Sequence, residues 1–158
     1  MTTMYNHEPK NYDCPFCKLI RGQDDEINKQ EYVVYQDDKT LAYIAPKWWD
    51  KNPGHILVIP KEHIENIYNI SDELLADVYK TVKKITIAIK ETYKSDGTST
   101  RQHNEPAGNQ DVWHFHVHVF PRYENDELYK NHDKKRWVTH DERLEFANKL
   151  KKYFTKQK

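Results

Sequence analysis

A chain of 158 residues is long enough to bury one core and too short for several domains of ordinary size. Its 25 Lys and Arg balance its 25 Asp and Glu, which argues against a nucleic-acid binder held by bulk charge and leaves room for a small anionic ligand held by local groups. No apolar run approaches the roughly 18 residues of a membrane-spanning helix.

The start, MTTMYNHEPKNYDCPFC, lacks the apolar stretch of a secretory signal. Residues 1–12 are polar and read as a flexible N-terminus ahead of a single domain over 13–158. The two cysteines, Cys14 and Cys17, sit in C-P-F-C. So close a pair makes a poor disulfide framework and reads as a metal half-site or redox pair in a reducing cytoplasm.

EYVVYQDD and TLAYIAP read as two short strands around a turn at Asp37 and Asp38. Pro46 to Gly54 is a loop carrying Trp48 and Trp49. His55 to Pro60, HILVIP, is a compact apolar strand. The clearest helix begins at an N-cap Ser71, with Asp72 and Glu73 at its positive end. Leu74, Val78, Val82, Ile85 and Ile89 follow at helical spacing, and the helix should end near Tyr93. TSTRQHNE reads as a strand, PAGN (Pro106 to Asn109) as a turn, and Asp111 to Pro121 as a strand. A shorter helix is expected over Asp141 to Phe154. The fold class is α+β: an antiparallel sheet with one long helix and a C-terminal helix.

The stretch QDVWHFHVHVF raises the chemical question. On a strand, residues two apart share a face at about 6.6 Å. His114, His116 and His118 then lie on one face, and Phe115, Val117 and Val119 point into a core. Exposed filler accounts for one such histidine, but not for three at strict alternation. Clustered neutral imidazoles serve metals, proton transfer or nucleophilic attack.

HFHVHVF resembles the His-φ-His-φ-His-φ-φ signature of the histidine triad (HIT) superfamily of nucleotide hydrolases and transferases. PGHILVIPKEH (Pro53 to His63) resembles its Gly-His strand followed by Pro-Lys-x-His. NEPAGNQDVWH resembles its loop into the triad, and C-P-F-C resembles its zinc-bearing branch. The resemblance covers roughly residues 13 to 123. It implies that His116 is the nucleophile, attacking the α-phosphorus of a nucleotide to form a nucleotidyl-imidazole. A backbone carbonyl on a neighbouring strand would fix its tautomer. It implies that His118 binds phosphate and protonates the leaving group, and that Asn104 and Gln110 contact the substrate. It further implies a structural zinc held by Cys14, Cys17, His55 and His114, with His55 an auxiliary site histidine if zinc is absent. A homodimer is the expected assembly. His63 is read as structural, His103 as a residue of the pocket or an exposed loop. Arg122 is expected to meet phosphates or an acidic neighbour, and Lys61 to be a solvated charge.

Two departures stand out. LAYIAPKWW lacks the acid with which many family members hold ribose, so Trp48 or Trp49 is considered as a base-stacking group. Asp111 stands where many members have Ser or Thr, adding negative charge near a phosphate if it points inward. Two other readings remain open: a metal-dependent enzyme using the histidine line as open ligands, and a nucleotide-binding module without turnover.

Overall fold

The computed structural model describes residues 5–157. Its elements in chain order are α1 (Pro15–Ile20), β1 (Val33–Gln36), β2 (Thr40–Ile44), β3 (Lys47–Trp48), β4 (Ile56–Pro60), α2 (Asp72–Tyr93), β5 (Gly97–Gln102), β6 (Val117–Arg122), β7 (Arg136–Trp137) and α3 (His140–Lys156). Five strands form one antiparallel sheet in the order β1-β2-β4-β6-β5. The strands β3 and β7 pair in a separate two-stranded ribbon.

The central strands are apolar on both faces because both faces are covered. Ala42, Ile44, Ile56, Val58, Val117 and Val119 meet Val78, Val82, Ile85 and Ile89 of α2, with Ala147 and Leu150 of α3. On the opposite face Leu41, Tyr43, Leu57 and Ile59 pack on Phe16 and Leu19 of α1. The long helix starts as expected: the Ser71 side chain accepts from the backbone of Leu74 at 3.2 Å, and the helix closes at Lys94 in the left-handed region. A capping box between Thr139 and Glu142 opens α3.

The loop between β3 and β4 is closed by Gly54 at φ +79°. A Cβ there would lie 2.5 Å from Phe146 Cδ1 and 2.7 Å from the Tyr93 hydroxyl, so only glycine lets α2, α3 and this loop meet. The loop is not a free one. Trp48 is in the core against Phe146, with ring centroids 5.5 Å apart. Trp49 packs with Phe120 and Leu128, and its indole N–H donates to Asn131 O at 2.8 Å. Trp48 is thus spent in the core, whereas Trp49, though buried, still lines the cavity shared by His55 and His118.

The last sheet strand is shorter than Asp111 to Pro121. Its ladder begins only at Val117, opposite Val58 of β4 and Gln102, the last residue of β5, and the segment before it bonds elsewhere. Phe115 N donates to Ile64 O at 2.6 Å, and His114 N to Val112 O at 2.8 Å. The alternation persists through this irregular stretch: Phe115, Val117 and Val119 are fully buried in the helix-facing core.

Of the N-terminal segment, residues 1–4 lie outside the described residues. Residues 5–12 form no helix or strand, yet they are held rather than loose. The carboxylate of buried Glu65 accepts from the backbone N–H of His7 at 2.5 Å and of Glu8 at 3.1 Å. Asn66 donates to Tyr5 O and to Asn6 Oδ1.

Candidate active site and metal centre

The three imidazoles do not converge on one point. His114 turns its Nδ1 to the thiols of α1, at 3.5 Å from Cys14 Sγ and 3.7 Å from Cys17 Sγ. His63 joins them, its Nδ1 3.3 Å from Cys17 Sγ and 3.2 Å from His114 Nδ1. All four ligand atoms lie within 4.8 Å of one another. The edges of a tetrahedron around zinc, with bonds of about 2.3 Å to sulfur and 2.0 Å to nitrogen, run from roughly 3.3 to 3.8 Å. The donor set therefore fits a closed Cys2His2 zinc site. Both imidazoles have their other nitrogen held by an acceptor, as metal ligands require. His114 Nε2 donates to Pro60 O at 2.9 Å, and His63 Nε2 to Glu8 Oε2 at 2.7 Å.

This replaces His55 with His63 in the expected ligand set. The reason is register. With Leu57 opposite His118 and Val58 opposite Val117, antiparallel pairing carries His55 toward Phe120 and the chain beyond Pro60 toward His114. His55 stacks on Phe120 with ring centroids 4.3 Å apart, and its Nε2 lies 3.0 Å from His118 Nδ1. It therefore sits beside His118 in the lining of a cavity and not at the thiols.

The electrostatics of the metal centre follow from its crowding. Burial opposes ionisation of Cys14, but hydrogen bonds from His114 and His63 outweigh it and bring the thiol down to about 5. Burial and the neighbouring Cys14 charge push Cys17 up to about 12. The Cys14 partner, with Glu8, raises His63 to about 9. At pH 7 these shifts set one thiolate, Cys14, beside one imidazolium, His63, and a bound cation would take the place of the protons on Cys17 and His63.

His116 faces the other way, into a cavity of about 210 Å³ that His55, His118 and Asp111 also line. Its Nδ1 donates to His114 O at 2.7 Å. The carbonyl that sets the tautomer thus lies two residues back in the same segment, not on a neighbouring strand. Nε2 is left as the free nitrogen, 3.8 Å from Asp111 Oδ1. Burial lowers the affinity of His116 for a proton, and burial with the adjacent imidazoles holds His118 well below the ordinary range. Burial also lowers His55 to about 3. All three are neutral at pH 7, the state a nucleophile or an acceptor of phosphate chemistry needs.

The two polar residues expected on the substrate are spent on the loop. Gln110 donates to Glu65 O at 2.6 Å and Val112 O at 3.0 Å, and its carbonyl accepts from Glu105 N at 2.9 Å. Asn104 accepts from Ile67 N at 2.8 Å and exchanges two bonds with Gln102. Both brace the chain leading to the triad, and neither lines the cavity. His103 bonds Gly108 O at 2.7 Å and sits edge-on to His118 at 5.6 Å. Arg122 takes the acidic neighbour, with two 2.8 Å bonds to Asp126. A larger groove, about 650 Å³ between β1 and the helices, has no histidine, cysteine or carboxylate in its lining. The reactive groups are in the smaller cavity.

Sequence reasoning missed the metal-facing role of His63, the Glu8 acceptor and the cavity wall formed by Lys47, Lys135 and Trp137. A fixed antiparallel register would have found the first. The others come together only in three dimensions.

The HIT domain family model matches residues 26–125, more than half of the chain. Protein hit of Bacillus subtilis is 40% identical over 111 residues, covering 70% of this chain and 72% of its own. The adenosine 5'-monophosphoramidase hnt1 of Schizosaccharomyces pombe is 37% identical over 112 residues, covering 69% of this chain and 74% of its own. A crystal structure of a Zn-bound histidine triad family protein from Mycobacterium smegmatis superposes with a TM-score of 0.70 at 26% identity, covering 92% of this chain and 95% of that one. The triad, its antiparallel sheet and these matches agree: the chain belongs to the histidine triad (HIT) family.

Proposed function

We propose that the protein is a nucleotide hydrolase or nucleotidyl transferase that works through a covalent intermediate on His116. The observation that carries this reading is the fixed tautomer of a buried imidazole: Nδ1 is tied to His114 O, and Nε2 is free at a cavity. In the reaction, the Nε2 lone pair forms a bond to the α-phosphorus and the bond from phosphorus to the leaving group breaks. The bound phosphate, an anion beside His118, raises its proton affinity, so that it takes a proton from solvent and gives it to the departing atom, while His55 at 3.0 Å holds the ring in place. Water, or an acceptor alcohol in transfer, then gives its proton to His118 and attacks the phosphorus. The phosphorus–nitrogen bond breaks, the nucleotide leaves and His116 is restored neutral.

The structural metal of this reading is zinc on Cys14, Cys17, His63 and His114. Filled by four protein ligands, it keeps no open position for water and acts by holding strands in place. That geometry disfavours the alternative in which the whole histidine line binds one reactive metal. A second copy of the chain is the proposed partner, through the open edge of the sheet at β5. There Arg101 keeps its Nε and one Nη buried without a partner among the described residues. The paired thiols suit a reducing cytoplasm.

The test is a panel of nucleotide substrates with wild type and His116→Ala, combined with intact-mass analysis after rapid acid quench. Wild type should gain the mass of one nucleotidyl group, and the variant should lose at least about 10³-fold in turnover. Near-normal turnover by His116→Ala would sink the nucleophile. A folded wild type that binds nucleotides and turns none over would favour the binding-module reading.

A further inference from the structure

The wall of the cavity that faces the histidines is the β3–β7 ribbon. Its second strand lies beyond the matched region, which stops at residue 125. Among the described residues, Lys47 and Lys135 are the only lysine or arginine residues lining the cavity, and both belong to this wall or adjoin it. Trp137 lines the same cavity and is 58% exposed, unlike the buried Trp48 and Trp49. The Lys47 ammonium sits 4.2 Å from the Trp137 ring centroid, over one face of the indole. The ring thus lines the cavity while more than half of the residue remains exposed.

The platform beneath it is stiff. Arg136 bonds Asp50 at 2.6 Å and Glu142 at 2.7 Å, tying the ribbon to its own loop and to α3. Val138 N continues the pairing to Pro46 O at 3.1 Å, and Trp48 anchors the other strand in the core. An exposed indole on a mobile tip is unremarkable. One held on a pinned ribbon, beside two ammonium groups and across a cavity from a nucleophile, has the composition of a nucleotide-binding wall: an aromatic plane for a base and point charges for phosphate oxygens.

We infer that the ribbon reads the nucleotide, with Trp137 stacking on the base and Lys47 and Lys135 neutralising a phosphate beyond the one that His116 attacks. This rests on the nucleotide reading above and narrows it. The chain prefers nucleotides bearing two or more phosphates over simple monophosphates. Asp111, whose carboxylate stands near His116, sharpens the need for those cations, because it repels any added anionic charge.

Three probes separate the parts: ribose 5-phosphate, AMP and the uncleavable α,β-methylene-ADP, titrated by calorimetry at fixed low salt. In wild type, AMP should bind more tightly than ribose 5-phosphate by about 5- to 100-fold, the range expected of one stacked base. Trp137→Ala should erase most of that ratio, and Trp137→Phe should restore much of it. Wild type should favour α,β-methylene-ADP over AMP by about 10-fold or more. Lys47→Ala with Lys135→Ala should bring that second ratio close to one. Both ratios unchanged within twofold in the variants would overturn the ribbon's role while leaving the nucleotide reading intact. Failure of wild type to bind either AMP or α,β-methylene-ADP would overturn both.

Discussion

Asp126 shows how a single carboxylate can organise a loop. It is nearly fully buried, and it accepts from Arg122 through both oxygens, from Asn52 Nδ2 and from the backbone of Tyr123 and Leu128. The Arg122 guanidinium, aided by these N–H groups, holds its carboxyl well below the usual carboxylate range. A depressed pKa in the folded state gives stability that is present above the unfolded value of about 3.9 and lost as pH falls below it. Asp126→Asn should therefore cost roughly 2–4 kcal/mol at pH 7, since it leaves a half-buried guanidinium without its anion. Urea melts should show the gap between wild type and variant narrowing from pH 5 toward pH 2.5. A gap equal at both ends would assign the effect to shape and not to charge. At the same scale, Gly54→Ala should cost about 2–4 kcal/mol, from strain at positive φ and from the clash with Phe146 and Tyr93. Thermal melts will read this as a lowered Tm. A neutral result would mean that the α2–α3 contact yields easily.

At the scale of elements, what sequence made legible was what repeats. The five-turn stripe of α2 and the alternation of Phe115, Val117 and Val119 are periodic, and both were found close to where they were expected. α1 has six residues, too few to show a stripe, and it is set by Pro15 and by the Cys14 thiol capping the Cys17 N–H. β3 and β7 have two residues each, and their pairing depends on partners some 90 positions apart in sequence. No local pattern can announce such a ribbon. The histidine assignment failed differently. His55 and His63 flank the same strand, and only the register decides which end meets His114. Antiparallel pairing places the chain beyond Pro60, and with it His63, on the side of His114. The N-terminal segment follows the same logic. Its polar composition suggests a loose tail, yet Glu8 reaches His63 and Glu65 clamps the backbone. On the zinc reading, Glu8→Ala should weaken zinc affinity about 10- to 100-fold by freeing the His63 ring. Competition with a chromophoric chelator measures this, and an unchanged affinity would reduce the segment to packing.

At the scale of the whole molecule, the two sites are joined by one strand. His114 gives its Nδ1 to the thiol cluster and its carbonyl to His116 Nδ1, so the candidate metal centre and the proposed nucleophile share a residue. The cluster also ties α1 to the segment after β4 and to the start of β6, three parts of the chain that no continuous secondary structure links. The irregular stretch before Val117 has few sheet bonds of its own, and the cluster takes over that role. Removing zinc should therefore act on stability first. Dialysis against a strong chelator should lower Tm by about 10 °C or more, given roughly 2–4 °C per kcal/mol for a chain of this size. Turnover at low temperature should fall less steeply, because the hydrogen bond from His116 to His114 O joins residues only two apart in the chain. Added zinc should restore both. If the chelated protein melts as before, the cluster contributes no stability and the strand is held by packing on α2 alone. If turnover falls while Tm holds, the metal belongs to the chemistry and not to the frame.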